Sequence, residues 1–132
     1  MAWGGIHHLG FAVEDLDEAV TTYERLFGAE VEAHDAGEGL RAANVLVGSA
    51  RIELLEAEDE ETPIAKFIER RGPGMHHVAY VVDDIAAELE ALRTEGVELI
   101  DPQARPGLFG HQVAFLHPDS VHGVLTELVA HG

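Results

Sequence analysis

HLGFAVEDL, at residues 8–16, returns in the second half of the chain as HVAYVVDDI, at residues 77–85. Each copy is followed by a helical pattern that closes at a glycine, Gly28 in the first and Gly96 in the second. A repeat of this length in a chain of 132 residues indicates two similar modules. If the modules pack about a pseudo-twofold axis, the histidines that open the two copies face each other across a shared central site.

The repeat predicts an α+β fold with two βαβββ modules, at about 5–58 and 74–131, in a single domain that spans residues 1–132. We expect a curved eight-stranded mixed sheet with helices on its convex side and a central metal-binding cleft. A short linker helix begins after Thr62 and ends at Gly72, and an irregular loop spans 101–110. The strands are expected at 6–13, 29–35, 40–47, 51–57, 76–82, 97–100, 111–116 and 122–130, and the helix of the second module at 84–95.

Acidic residues dominate the charge of the chain: 25 Asp and Glu against 8 Lys and Arg give a formal net charge of −17. Nucleic acid is not expected as a partner, because nucleic-acid-binding proteins present a clustered basic face. The lack of cysteine excludes disulfides and thiolate metal sites. No leader pattern or apolar stretch of membrane-spanning length is visible, so we expect a cytoplasmic protein without membrane contact.

Strand alternation indicates the direction in which the first repeated histidine points. Leu9, Phe11 and Val13 form an apolar face, which we expect to pack under the helix. His8 then lies on the opposite, concave side of the sheet. Its neighbours on that side are small and leave room for a ligand.

One glutamate interrupts the last apolar strand of each module, Glu53 in the first and Glu127 in the second. A buried carboxylate is costly unless it is paired or binds a metal. Together with His8 and His77, these residues form a set of two imidazoles and two carboxylates. That set suits a borderline divalent ion with open positions for water or substrate. The matched positions in the two modules therefore predict a shared metal site.

The other histidines receive simpler interpretations. His7 and His76 are expected to be half-buried residues of the core whose polar atoms are satisfied. A surface position or a loop hydrogen bond is expected for three more, His111, His117 and His122.

Three stretches of the chain match motifs of one family. They are IHHLGFAV at 6–13, PIAKFI at 63–68 followed by GMHHVA at 74–79, and FLHPDS at 115–120 followed by GVLTEL at 123–128. In these motifs the chain resembles the vicinal oxygen chelate superfamily and, within it, the methylmalonyl-CoA epimerases. The first motif is general to the superfamily, and the other two are specific to the epimerase branch. The resemblance covers nearly the whole chain.

The resemblance implies interconversion of (2R)- and (2S)-methylmalonyl-CoA by a 1,1-proton transfer through a metal-stabilised enediolate. Carried over by position, His8, His77 and Glu127 fall on metal ligands of the family. Glu53 falls where the family places a fourth ligand, often a glutamine. The implied cofactor is a divalent ion, with Co²⁺ favoured and Zn²⁺, Ni²⁺ or Mn²⁺ as alternatives.

The resemblance also implies two proton-transferring groups, one for each face of the substrate. Glu127 is the better placed base, since it lies in mid-strand beside the expected metal. Some family members carry a second catalytic glutamate where this chain has Ala42, and alanine cannot transfer a proton. The second role is therefore open between Glu53, Glu38 and a metal-bound water.

Coenzyme A carries phosphates, so an acyl-CoA substrate requires cations. Lys66, Arg70 and Arg71 lie on the linker helix, with the first two on one face at i, i+4 spacing. Arg105 lies in the loop rich in Pro and Gly. We expect these four residues to contact the substrate, and the resemblance implies a homodimer.

Three other functions are compatible with parts of the pattern. A glyoxalase I-type lactoylglutathione lyase uses the same ligand set, but the PIAKF linker and the HPDS segment favour the epimerase branch. An extradiol dioxygenase needs an open position that Glu53 would fill. A metal-free binding protein of this fold would have an aromatic-lined cleft, whereas the chain has 1 Trp, 2 Tyr and 5 Phe.

Overall fold

The computed structural model describes residues 3–131. Three α-helices and eight strands lie within this part of the chain. In chain order they are β1 (Trp3–Ala12), α1 (Leu16–Phe27), β2 (Glu30–Gly37), β3 (Leu40–Val47), β4 (Ala50–Ala57), α2 (Pro63–Arg71), β5 (Gly74–Val82), α3 (Ile85–Thr94), β6 (Arg105–Pro106), β7 (His111–Leu116) and β8 (Thr126–His131). The predicted α+β class is confirmed. Among the described residues, none of the helices has the length and apolar character needed to span a bilayer.

The chain divides into two compact units. Residues 8–76 form the first, which we call the N unit. The described residues before His8 and after His76 form the second, the C unit. Strand β1 therefore contributes its first residues, up to His7, to the C unit and the rest of its length to the N unit.

The sheet of the N unit has the strand order β2-β3-β4-β1. Strand β1 runs parallel to β4, whereas the β2–β3 and β3–β4 pairs are antiparallel. The turn between β2 and β3 places Glu38 at φ 56° and Gly39 at φ 77°, as expected for a two-residue hairpin with both central residues left-handed. Helix α1 covers one face of this sheet with an apolar core of Leu16, Val20, Ala29, Ala43, Val45, Ile52 and Leu54.

Helix α1 begins and ends where the sequence signals predict. The side chain of Asp15 accepts a hydrogen bond from the backbone N–H of Glu18 at 3.0 Å. Gly28 closes the helix in the left-handed conformation, at φ 63°. The same cap opens α3, where Asp84 accepts from the N–H of Ala87 at 3.0 Å. The repeat thus sets equivalent helix starts in both units.

Asp15→Ala is expected to lower the free energy of unfolding by about 1 kcal/mol, because it leaves an N-terminal N–H of α1 without its acceptor. Chemical denaturation measures this change. Glu14→Ala is the matched control, since it removes the same charge from an exposed neighbour that caps nothing. It should stay within about 0.5 kcal/mol of the parent protein. Equal losses in the two variants would contradict the assigned cap.

The strands of the C unit follow the order β1-β5-β8-β7-β6, with β5 parallel to β8 and β7 antiparallel to it. Trp3 of β1 lies 5.6 Å from Tyr80 between ring centroids and donates its indole N–H to Glu88 of α3 at 2.8 Å. Helix α3 packs on the sheet through an apolar cluster of Val82, Ile85, Leu89, Ala114, Leu116, Leu128 and Ala130.

The strand predicted at 97–100 is wrong. Leu99 makes only an isolated bridge to Leu116. The carboxylate of Asp101 accepts from the backbone N–H of Phe115 at 2.8 Å and so replaces the carbonyl of a neighbouring strand. The expected irregular loop also contains β6, whose two residues pair with β7.

The last strand begins at Thr126, four residues later than the predicted start at 122. A short 3₁₀ turn over Pro118–Val121 precedes it. His122 then adopts φ 61° and Gly123 φ 90°, so the backbone reverses before it can enter the sheet. Left-handed residues of this kind end regular pairing, which delays β8.

Candidate functional site

One buried histidine and one buried glutamate meet in the N unit. His8 lies on β1 and Glu53 on β4, with Nε2 and Oε1 3.6 Å apart. The two residues are 3% and 8% exposed. Their chain neighbours Leu9, Ile52 and Leu54 pack in the core under α1, so both polar side chains occupy the opposite face of the sheet. We call this the site face of the N unit.

An equivalent pair lies in the C unit. His77 on β5 and Glu127 on β8 bring Nε2 and Oε1 to 3.2 Å. They are 3% and 7% exposed. Leu128, the next residue after Glu127, packs under α3, which places the pair on the face opposite that helix. We call this the site face of the C unit.

Both pairs have the donor chemistry and spacing of metal ligands. Donor atoms about 2.1 Å from one divalent ion lie about 3.0–3.4 Å apart at octahedral or tetrahedral angles. The distances of 3.2 Å and 3.6 Å within the two pairs are close to that range. Imidazole and carboxylate donors together suit borderline divalent ions. The residues of each pair therefore fit a metal ion.

An aromatic ring and a cation flank the pair of the C unit. Phe115 of β7 stands edge-on to the His77 ring at 5.5 Å between centroids. The guanidinium of Arg105 lies over the Phe115 ring at 5.8 Å from its centroid, and its Nε donates to Asp101 at 3.3 Å. Of the four predicted substrate-binding cations, Arg105 is thus placed beside one of the predicted metal-binding pairs.

The other three cations lie on α2, which packs against β4 in the N unit. Lys66 is exposed and reaches Glu61 at 3.8 Å. Arg71 lies 5.8 Å from the ring centroid of Phe67. Arg70 is exposed near the C-terminal end of the helix. These side chains form a short basic surface on an otherwise acidic protein.

Five other histidines have ordinary packing, loop or surface positions. His7 is buried, with its ring edge-on to His111 at 4.9 Å. His76 packs edge-on to Phe67 at 5.1 Å. Nδ1 of His117 accepts from the N–H of Asp119 at 3.2 Å, which confirms its expected loop hydrogen bond. His122 is exposed in the turn before β8, whereas His111 is half-buried in β7 rather than at the surface.

Two residues on the site faces were not singled out from the sequence. Phe115 is paired with Glu127 in the antiparallel register of β7 and β8. Asn44 is paired with Glu53 in the register of β3 and β4 and is only 4% exposed. The signal for Asn44 was available: it is a polar residue inside the apolar run of β3, as Glu53 is in β4.

Residues 7–115 match the model of the glyoxalase/bleomycin resistance protein/dioxygenase superfamily. The chain therefore belongs to this superfamily, and relatives at 35% identity that cover 95% of the chain place it in the methylmalonyl-CoA epimerase family within it. The resemblance inferred from the three motifs is confirmed.

The relatives align with nearly the whole chain. The mitochondrial methylmalonyl-CoA epimerase of Dictyostelium discoideum is 35% identical over 128 residues, which cover 95% of this chain and 77% of that protein. The ethylmalonyl-CoA/methylmalonyl-CoA epimerase of Cereibacter sphaeroides is 35% identical over 129 residues, covering 95% and 96%. A solved structure of a Streptomyces coelicolor methylmalonyl-CoA epimerase variant with 2-nitronate-propionyl-CoA has a TM-score of 0.93 at 34% identity, covering 98% of this chain and 96% of that one.

Proposed function

We propose that this protein is a methylmalonyl-CoA epimerase, which interconverts (2R)- and (2S)-methylmalonyl-CoA by a 1,1-proton transfer. One observation carries the proposal: a buried histidine–glutamate pair recurs at equivalent positions of both repeats, in a chain that aligns over 95% of its length with epimerases of this reaction. The thioester acidifies the carbon that loses the proton, so the protein needs groups that take and return it.

We propose that His8, Glu53, His77 and Glu127 together hold one divalent ion, with Co²⁺ favoured and Zn²⁺, Ni²⁺ and Mn²⁺ as alternatives. The spacing within each pair and the mixed nitrogen and oxygen donors support this assignment. When bound, such an ion supplies Lewis-acid stabilisation of the negative charge that develops on the substrate oxygens. The surrounding apolar strands keep water away from the pairs, which strengthens every charge interaction there.

Glu127 is proposed as the base for one face of the substrate. Its carboxylate lies in the middle of β8 with 7% exposure, so its oxygens can act on a bound substrate without competition from bulk water. Glu53 is proposed to move the proton on the other face. Ala42 carries no ionisable group, and Glu38 occupies an exposed hairpin turn, which leaves Glu53 as the buried carboxylate of the N unit site face.

Lys66, Arg70, Arg71 and Arg105 are proposed to bind the phosphate and pantetheine part of coenzyme A. The exposed cations of α2 suit phosphates in water, while Arg105 is held by Asp101 and Phe115 beside the His77–Glu127 pair. An arginine fixed in this way loses little freedom when it binds an anion.

Arg105→Ala is expected to raise KM for methylmalonyl-CoA about tenfold with kcat nearly unchanged, because one charge-assisted contact to the substrate is lost. The effect should shrink at high salt. Steady-state kinetics at two ionic strengths measure it. Arg93→Ala is the matched control, since Arg93 pairs with Glu90 on an exposed helix surface. A KM that changes equally in both variants would point to net charge alone.

A glyoxalase I-type activity is the second candidate. Two residues support it. Glu53 completes a His/Glu/His/Glu set, whereas many epimerases carry glutamine at that position. Ala42 replaces a glutamate that is found in some epimerases. Such an enzyme would isomerise a glutathione hemithioacetal by a similar proton transfer.

Proton exchange separates the two candidates. Metal-loaded protein is incubated with methylmalonyl-CoA in deuterium oxide, and NMR follows the C2 proton and the splitting of the methyl signal. Rapid deuterium uptake that a chelator abolishes is the expected result. No uptake at any metal loading would exclude the epimerase, and turnover of the methylglyoxal–glutathione hemithioacetal by the same sample would support the rival.

Three further features stay predictions. The repeat and the shared strand β1 favour a single domain in which the two modules act as one enzyme. A homodimer is expected from the resemblance, and a cytoplasmic location is expected from the sequence pattern. Size-exclusion chromatography with light scattering tests the dimer.

A further inference from the structure

Asn44 is a buried amide in an apolar strand. It is 4% exposed, and its Oδ1 accepts no hydrogen bond from the described part of the protein. Ala43 and Val45 pack in the core under α1, so the side chain between them belongs to the site face of the N unit. Its carboxamide therefore lies among the groups assigned to the reaction, away from the helix.

The register of three strands places this amide next to Glu53. Asn44 pairs with Glu53 across β3 and β4, and Glu53 pairs with Gly10 across β4 and β1. Ala42, which replaces the glutamate of some relatives, lies two residues earlier on the same face of β3. Asn44 is thus a polar residue on the strand next to Glu53, and it has no role in the proton transfer proposed above.

A buried amide oxygen without a partner destabilises a fold, because it has lost its hydrogen bonds to water without replacement. Leucine has the same number and branching of side-chain heavy atoms and would avoid that loss at this position. The unsatisfied amide is therefore understood best if a ligand completes its hydrogen bonding.

We propose that Asn44 is a substrate-binding residue whose carboxamide donates from Nδ2 to the free carboxylate of a malonyl thioester. This inference rests on the proposed function. The malonyl group offers only acceptor oxygens, and a half-turn of the carboxamide exchanges Oδ1 for the donor Nδ2. A neutral donor suits the position beside Glu53, because it leaves that carboxylate free of a competing salt bridge.

Binding of two thioesters tests the proposal. Calorimetry compares malonyl-CoA, which has the free carboxylate, with propionyl-CoA, which lacks it, on the metal-loaded protein. Asn44→Leu is expected to weaken the binding of malonyl-CoA about tenfold and to leave the affinity for propionyl-CoA unchanged. Asn44→Asp should weaken malonyl-CoA further, because a second carboxylate beside Glu53 repels the substrate.

Thermal unfolding gives a second readout that a merely structural role would not produce. Asn44→Leu should raise Tm while it weakens malonyl-CoA, since an unsatisfied group has been removed from the fold. The control is Val45→Ala, on the opposite face of the same strand, which should lower Tm and preserve the preference for malonyl-CoA.

The results can overturn the role of Asn44 without overturning the proposed function. If the parent protein epimerises methylmalonyl-CoA and Asn44→Leu keeps the full preference for malonyl-CoA over propionyl-CoA, the role of Asn44 is overturned and the function stands. If the parent protein binds neither thioester and exchanges no proton, the function fails, and the role of Asn44 fails with it.

Discussion

Glu127→Gln is expected to reduce epimerisation about a hundredfold to ten-thousandfold, the range typical of removing a general base. Glutamine keeps the size and shape of the side chain, so the substitution tests the ionisable group rather than the packing of β8. The rate of interconversion, followed by NMR from each pure epimer, measures the loss. Glu69→Gln, on the exposed surface of α2, is the control and should leave the rate unchanged.

Deuterium uptake by the Glu127→Gln variant shows whether Glu127 transfers a proton or only binds the metal ion. If Glu127 and Glu53 serve opposite faces of the substrate, Glu127→Gln loses epimerisation in both directions but still allows one epimer to exchange its C2 proton. Glu53→Gln should then allow exchange of the opposite epimer only. Loss of exchange from both epimers together with loss of bound metal would instead assign Glu127 a purely structural role at the ion.

His8→Ala and His77→Ala are each expected to lower metal affinity at least about a hundredfold, since even changes behind the ligands cost about 10–100-fold. Epimerisation should fall in parallel. Metal content by elemental analysis, with one ion per chain in the parent protein, measures the effect. His76→Ala is the control: it removes a histidine next to His77 that packs on Phe67.

The number of metal ions bound per chain also tests whether the two histidine–glutamate pairs share one ion. A shared ion predicts that either single substitution empties the protein of metal. Two independent sites would give two ions per chain and a loss of only half in each variant. A chelator should lower Tm of the parent protein, because an ion that binds only the folded state adds to stability, and it should leave Tm of the two variants unchanged.

The helices and the histidine–glutamate pairs could be predicted because their signals are local and occur twice. Asp15 and Asp84 cap their helices through the same hydrogen bond. Glu53 and Glu127 interrupt the same strand of each module and lie beside the repeated histidines of their own units. Two independent copies of one pattern make an accidental match improbable, so strand alternation was enough to assign the faces.

The strand at 97–100 and the start of β8 were predicted wrongly, because a single side chain or backbone angle decides the local structure there. The carboxylate of Asp101 takes the place of a strand carbonyl, and the strand pattern at 97–100 contains no sign of it. His122 adopts a left-handed conformation that is uncommon for residues other than glycine, and this delays β8.

Asn44 was overlooked for a related reason. It lies opposite Glu53 in the N unit, and the residue opposite Glu127 in the C unit is Phe115. The repeat does not reveal Asn44, because one module carries an amide at this position and the other carries an aromatic ring. The two site faces are therefore similar in their histidine–glutamate pairs and different in the residue that lies opposite the glutamate.

The division of β1 between the two units has a consequence for synthesis of the protein on the ribosome. Residues 8–76 leave the exit tunnel before the rest of the C unit and contain β2, β3, β4 and the second part of β1. Trp3 must wait for Tyr80 and Glu88, which are made after the whole N unit. During that interval the first residues form an unpaired strand edge that other nascent chains can engage. Residues that are translated after the N unit are thus needed to pack against the first residues of β1.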